Sequence, residues 1–295
     1  MRTSGKGYDV IERRQLAFAL LKECENDKIV LPRKTFFVPG WATEKSCLWI
    51  DPFSAENASM SQWVEKIVED DKKKVHFLRF SRKESDSCPN FECFGKLLYS
   101  KIKPFLEDKD EVFDMVGYSM GGLDICSSVI FGDIPSRSVG KIITLGCPFR
   151  GDKWAEVLED FNIFFWFLFG SWLLVRFLIY KFGGYSEANV YQLENLRPRS
   201  RYIKDLDTKQ HRLRLLSQVE KLYVFYSKSD RFVGNDARFD RKKISEDLLK
   251  EKLEEISFEG TIHYGTMGLS QDPRVLLRVL EILSGRKIYK EGDIL

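Results

Sequence analysis

The sequence predicts an α/β protein: a mostly parallel sheet of about six strands, helices on both faces, and a helical lid or cap insertion. Three observations lead there. Short apolar runs bounded by turn residues alternate with longer amphipathic segments, which is the pattern of βαβ units. A glycine-flanked serine, Gly117-Tyr118-Ser119-Met120-Gly121, stands between one such run and one such segment. A block dense in aromatic residues, Phe161 to Phe182, interrupts the alternation.

The expected strands are Thr35 to Val38, Val75 to Phe80, Val112 to Val116, Lys141 to Leu145, Lys221 to Tyr226 and Glu255 to Glu259. Their Val, Ile, Phe and Tyr residues suit a pleated, buried surface, and the runs are too short for helices. Helices are expected over Tyr8 to Cys24, Ala55 to Asp71, Glu92 to Glu107, Ser119 to Phe131, Ser245 to Lys252 and Asp272 to Ser284. In an open sheet of this kind, ligands bind beyond the carboxyl ends of the strands.

A chain of 295 residues is one domain of ordinary size, or one domain with an insertion. Residues 1–151 and 215–295 are expected to form the core and 152–214 the insertion. A hydrophobic content of 43% supports a full core. The 47 basic and 44 acidic residues nearly balance, at a net charge of +3, so no nucleic-acid partner is implied. The 6 cysteines (Cys24, Cys47, Cys88, Cys93, Cys126 and Cys147) show neither C-x-x-C nor zinc-site spacing, so no metal is expected. Cys126 and Cys147 read as small buried hydrophobes. Cys88 and Cys93 are close enough to bridge, but reduced thiols in a cytoplasmic protein are the simpler reading. Leu16 to Leu21 follows Glu12-Arg13-Arg14 and runs into Lys22-Glu23 without a small-residue cleavage pattern, so it reads as part of an amphipathic helix rather than a signal peptide.

A G-x-S-x-G between strand and helix is the nucleophile-elbow pattern. The chain turns so sharply there that side chains two before and two after the serine would collide, which explains Gly117 and Gly121. The competing reading is a glycine-rich turn with a solvated serine. A nucleophilic serine needs a base and a group to orient it. Of the 3 histidines, His76 lies inside an expected strand and His211 in a basic helical stretch, and both read as structural or surface residues. His263 follows the last strand on a loop, Thr261-Ile262-His263-Tyr264-Gly265, where a catalytic base belongs. The acid belongs between them in the chain. Asp230, a few residues beyond Tyr226, is preferred; Asp236 and Asp240 are rivals on the same loop. The alternative for each is a turn-forming aspartate.

The order Ser119, Asp230, His263, each after an expected strand, resembles the α/β-hydrolase superfamily and, within it, the lipase/esterase branch. Phe37-Val38-Pro39-Gly40-Trp41 is similar to the His-Gly-aromatic turn of lipases, with Pro39 in place of His. Gly146-Cys147-Pro148-Phe149-Arg150-Gly151 is similar to their Gly-Thr-Pro-His-x-Gly, with Cys147 and Phe149 as departures that touch the subfamily and substrate. The resemblance covers roughly residues 34 to 284, apart from the insertion. It implies a Ser119–His263–Asp230 triad, an oxyanion hole made by the backbone N–H groups of Trp41 and Met120, and no cofactor. The donors are backbone groups, so Pro39 need not disable the hole.

The aromatic block has the position of a cap insertion. Its apolar run, Ile163 to Val175, is shorter than the roughly 20 residues a helix needs to cross a bilayer. A crossing would also separate serine from acid. A lid over the cleft, with apolar surface resting on a membrane, is expected; a plain core helix pair turned at Gly170-Ser171 is the other reading. Phe165, Trp166, Phe169 and Trp172, with Tyr118 beside the serine, are the candidates for contacting an acyl chain. Arg197, Arg199, Arg201, Lys204, Lys209, Arg212 and Arg214 follow, either to meet anionic headgroups or as a solvated face among acidic residues. The expected partner is a lipid or other acyl ester, with peripheral membrane contact. A thioesterase or acyltransferase on the same triad, or a non-catalytic membrane-binding protein with this fold, are the alternatives.

Overall fold

The computed structural model describes residues 10–40, 60–69, 73–78, 80, 84, 87–88, 90–108, 110–132, 134–135, 137–151, 196–198, 200–230, 233–261 and 268–289. Among the described residues six strands form one sheet: β2 (Thr35–Val38), β4 (Val75–Phe77), β5 (Phe113–Tyr118), β6 (Val139–Leu145), β7 (Val219–Tyr226) and β8 (Leu253–Ser257). Their spatial order is β4-β2-β5-β6-β7-β8, and every pairing is parallel. The expected sheet is therefore present. Parallel strands are covered on both faces and so read as near-continuous apolar runs. All four residues of β2 and all six of β5 are buried.

Side chains alternate between the two faces, and each face has its own core. Phe36, Met115, Ile142 and Val224 point to one side. There they meet α3 (Phe91–Ile102), α4 (Met120–Phe131), α5 (Arg201–Leu206), α6 (Lys209–Gln218) and α7 (Glu246–Lys252). Their neighbours Phe37, Val116, Ile143 and Phe225 point to the other side. That side is covered by α1 (Val10–Asn26), α2 (Met60–Ile67) and α8 (Pro273–Ser284).

Helix ends follow local chemistry. Asn90, Ser200, Thr208 and Asp272 are N-caps whose side-chain oxygens accept backbone amides. Pro273 occupies the first turn of α8, and Gly285 closes it in the left-handed conformation at φ 71°. The helix expected to run to Glu107 ends at Ile102 and passes into a 3₁₀ turn, Lys103–Phe105. Pro104 causes this, because it has no N–H to donate and its ring crowds the preceding turn. The helix expected over Ala55 to Asp71 ends at Ile67. Val68–Glu69 (β3) instead pairs in parallel with Ile29–Val30 (β1), a two-stranded sheet too short to leave a period in the sequence.

The end of the expected insertion holds α5 and the start of α6, and Ile203 and Leu206 join the main core. Its aromatic part, 152–195, lies outside the described residues. Among the described residues no helix is long and apolar enough to cross a membrane.

Candidate active site

Chain direction places the site. From β2 the chain goes outward to β4, then returns across β2 to β5 on its other side. The crevice beyond the carboxyl ends of β2 and β5 is thus the switch point of the sheet, where open α/β folds take ligands. Gly40 ends the β2 side of it and Ser119 the β5 side.

Ser119 has φ 51° and ψ −125°, a region that L side chains rarely occupy. Three contacts impose it. The Ser119 amide donates to the Leu145 carbonyl at 2.8 Å, which continues the β5–β6 ladder to the last residue of the strand. The Gly122 amide donates to the Ser119 carbonyl at 3.0 Å, which starts the helix at once. Between them the strand and helix close to a distance that only glycine permits. A Cβ on Gly117 would stand 2.7 Å from Gly122 Cα and N, and one on Gly121 would stand 2.4 Å from the carbonyl oxygens of Val38 and Pro39. Both glycines of the motif are therefore explained by steric exclusion.

Gly40 approaches the serine itself. A Cβ built there would be 3.1 Å from Ser119 Cβ and from the Tyr118 carbonyl oxygen. The turn after β2 therefore lies against the elbow. Met120, the first residue of α4, has an N–H that the helix cannot satisfy internally. Trp41, the next residue after Gly40, lies outside the described residues.

Asp230 follows β7 by four positions and is 4% exposed. Its carboxylate accepts the Val233 amide at 3.1 Å, and its own amide donates to the Ser227 carbonyl at 3.3 Å. The rival Asp240 is occupied elsewhere: it meets the Arg212 guanidinium at 2.7 Å and accepts the Lys242 amide at 3.0 Å. Burial pushes its carboxyl up, but the Lys242 amide and Arg212 outweigh this and hold it below the usual range. Asp236 sits in a 3₁₀ turn, Gly234–Ala237, and its carbonyl accepts the Arg150 amide at 3.1 Å. Arg212, counted above among the basic residues, is buried between Asp207 and Asp240 and is part of the core rather than a surface cation.

His263 lies outside the described residues, but both ends of its loop are fixed. On the upstream side the Ser227 hydroxyl donates to the Thr261 carbonyl at 2.8 Å. At the base, buried Arg274 donates to the Glu259 carbonyl at 2.8 Å and to Asp272 at 2.7 and 3.0 Å. Neither Ser227 nor Arg274 stood out in the sequence; a buried charge inside an apolar helix was the only signal for Arg274. The other histidines are placed. His76, in β4, lies against Phe36 and Phe105 with ring centroids 5.0 and 4.3 Å away. His211 donates from Nδ1 to the Asp205 carbonyl and meets Phe131 edge-on.

Phe165, Trp166, Phe169 and Trp172 lie outside the described residues, while Tyr118 is fully buried in the core behind the elbow. Cys88, Cys93, Cys126 and Cys147 carry free thiols. Among the described residues no group of histidine, cysteine and acidic side chains could hold a metal ion. Asp124, one turn beyond the elbow in α4, is fully buried, and among the described residues its carboxyl oxygens accept no hydrogen bond. Burial raises its pKa well above the ordinary carboxyl value.

No protein-family model matches the chain, and no curated protein matches it in sequence. Solved structures do match. The mature form of lipase BlEst2 from Bacillus licheniformis aligns over 86% of this chain and 92% of its own, at a TM-score of 0.53 and 16% identity. Phospholipase PlaB from Legionella pneumophila, in complex with thio-NAD, aligns over 90% of this chain at a TM-score of 0.57 and 12% identity. The match spans 60% of PlaB. At such identities the shared property is the fold. The parallel six-stranded sheet and the serine elbow at its switch point, together with these matches, identify it as the α/β-hydrolase fold.

Proposed function

We propose that this chain is a serine hydrolase that cleaves carboxylic esters of long acyl chains through a Ser119–His263–Asp230 triad. The observation that carries the reading is the backbone of Ser119. A strained conformation costs of order 1–3 kcal/mol and persists where the surroundings over-determine it, most often at functional sites. A merely solvated serine in a turn needs no such geometry.

In the proposed reaction His263 takes the Ser119 hydroxyl proton as the oxygen attacks the ester carbonyl. Asp230 accepts the other imidazole N–H, fixing the tautomer and stabilising the imidazolium. The backbone N–H groups of Met120 and Trp41 hold the oxyanion, each worth about 3–4 kcal/mol in the transition state. His263 then gives its proton to the leaving alcohol. Water, activated by the same base, hydrolyses the acyl-enzyme. Asp230 suits the part because it is buried, lies on the turn after β7, and is oriented by the Val233 amide.

A groove of about 400 Å³ between α1, α2 and the start of α8 offers room for an apolar group, and among the described residues its lining does not include the elbow. Phe18, Met60, Trp63, Pro273 and Leu276 line it, with Arg14 at its side. Its size is within the range of small-molecule sites. The insertion, 152–214, is proposed as the lid, and its aromatic residues as the part that meets the acyl chain or a membrane surface. The names of the two structural neighbours, a lipase and a phospholipase, agree with a lipid substrate.

The test is hydrolysis of 4-nitrophenyl esters from acetate to palmitate, with and without liposomes. Activity rising with chain length, and lost in Ser119→Ala, supports the proposal. Activity confined to acetate, or equal in Ser119→Ala, removes the long-acyl reading or the serine respectively.

A further inference from the structure

The acid and the base of the proposed triad come from different loops, one after β7 and one after β8. Catalysis needs such groups held to within about half an ångström by residues that are themselves locked. The Ser227 side chain joins the two loops. Ser227, the first residue after β7, is 1% exposed. Its hydroxyl accepts the Ser229 amide at 3.2 Å and donates to the Thr261 carbonyl at 2.8 Å. Its carbonyl accepts the amide of Asp230 at 3.3 Å.

The far end of this bridge is fixed as well. Thr261 is fully buried, and its hydroxyl donates to the Phe258 carbonyl at 2.9 Å. Phe258 in turn donates its amide to the Tyr226 carbonyl at 2.9 Å, which closes the ring back to β7. A serine that served only its own turn would need the Ser229 amide alone. The bond to Thr261, two residues ahead of His263, lies outside the needs of that turn.

We propose that Ser227 is a positioning residue: it couples the turn that presents Asp230 to the loop that carries His263, so that carboxylate and imidazole move as one unit. The inference rests on the triad reading given above. Without the bridge each loop moves separately, and the carboxylate stabilises the imidazolium less. The histidine pKa then falls, and with it the pH at which activity is lost on acidification.

The experiment measures kcat and KM across pH on a soluble ester for wild type, Ser227→Ala, Asp230→Asn and the double variant, with a melting temperature for each. Ser227→Ala should lower kcat about tenfold, leave KM within about twofold, and move the acid limb of kcat/KM to lower pH. In the Asp230→Asn background the same substitution should cost less than about twofold, because the group through which it acts is gone. Ser227→Cys retains the packing with a weak S–H donor and should fall between wild type and alanine; it carries the test if the alanine variant does not fold. An equal loss in both backgrounds, or an acid limb that stays in place while the melting temperature falls, assigns Ser227 a purely structural part and overturns the proposal. A wild type that neither turns over an ester nor reacts with a fluorophosphonate overturns the triad reading itself, and that result is visible before any substitution is made.

Discussion

Gly121 and Pro39 stand so close that a methyl group on the glycine would meet the Pro39 carbonyl oxygen at 2.4 Å. The obstacle is backbone on both sides, so neither partner can swing away. Gly121→Ala is therefore expected to destabilise the fold by about 1–3 kcal/mol, the usual cost of overpacking. Urea denaturation should show a lower midpoint at an unchanged slope. A midpoint equal to that of wild type would mean that β2 and the elbow are further apart than described.

Ser119 stores strain that glycine would not. Ser119→Gly is expected to abolish activity yet raise stability by about 1 kcal/mol. Ser119→Ala, which keeps the Cβ and hence the strain, should abolish activity without that gain. Calorimetry of the three proteins decides it: equal melting temperatures for the two variants would show that the serine backbone is relaxed.

Asp124 gives stability a pH dependence of definite sign. Its folded pKa is raised by burial, whereas in the unfolded chain it ionises near the ordinary carboxylate value. Its contribution is therefore fully present below about pH 4 and is lost as the pH rises towards the folded pKa, at up to about 1.4 kcal/mol per pH unit. Asp124→Asn cannot ionise. The variant should thus gain stability relative to wild type as the pH is raised from 4 to 8. A difference between the two that stays constant over that range would show that the folded carboxyl ionises normally.

Cys126 and Cys147 are fully buried. Burial, aided by the nearby Asp124, pushes the Cys126 thiol up to about 12, and burial raises Cys147 well above its ordinary value. The thiolate is the reactive form. Native protein treated with iodoacetamide at pH 8 should carry no label on either residue by mass spectrometry, and label on both after unfolding in urea. Rapid native labelling of Cys147, which lies against Gly122, would mean that the elbow region opens to solvent.

Much of this arrangement was legible in the sequence for one reason: parallel strands buried on both faces leave unbroken apolar runs, and each was found within a few residues. The elbow was legible because sterics restrict two positions to glycine, and Gly117 and Gly121 each meet backbone. The pairing of β1 with β3 was not legible, since two-residue strands carry no period. Asp124 and Ser227 were equally silent. An aspartate in a helix and a serine in a turn are ordinary residues until burial and a partner distant in sequence give them meaning. Arg212 misled for the same reason, because a basic residue among other basic residues reads as surface until its partner Asp240 is seen.

The central claim is that Ser119 is an activated nucleophile. It is tested most directly by reacting the purified protein with a fluorophosphonate probe, in detergent or with liposomes, beside Ser119→Ala, His263→Ala and Asp230→Asn. An activated Ser119 requires labelling of wild type, none of Ser119→Ala, and labelling slowed by at least about a hundredfold in His263→Ala. Asp230→Asn should be slowed as well. A wild type that stays unlabelled under all conditions, or an alanine variant at position 119 that labels as wild type does, would contradict it and leave the elbow as architecture without chemistry.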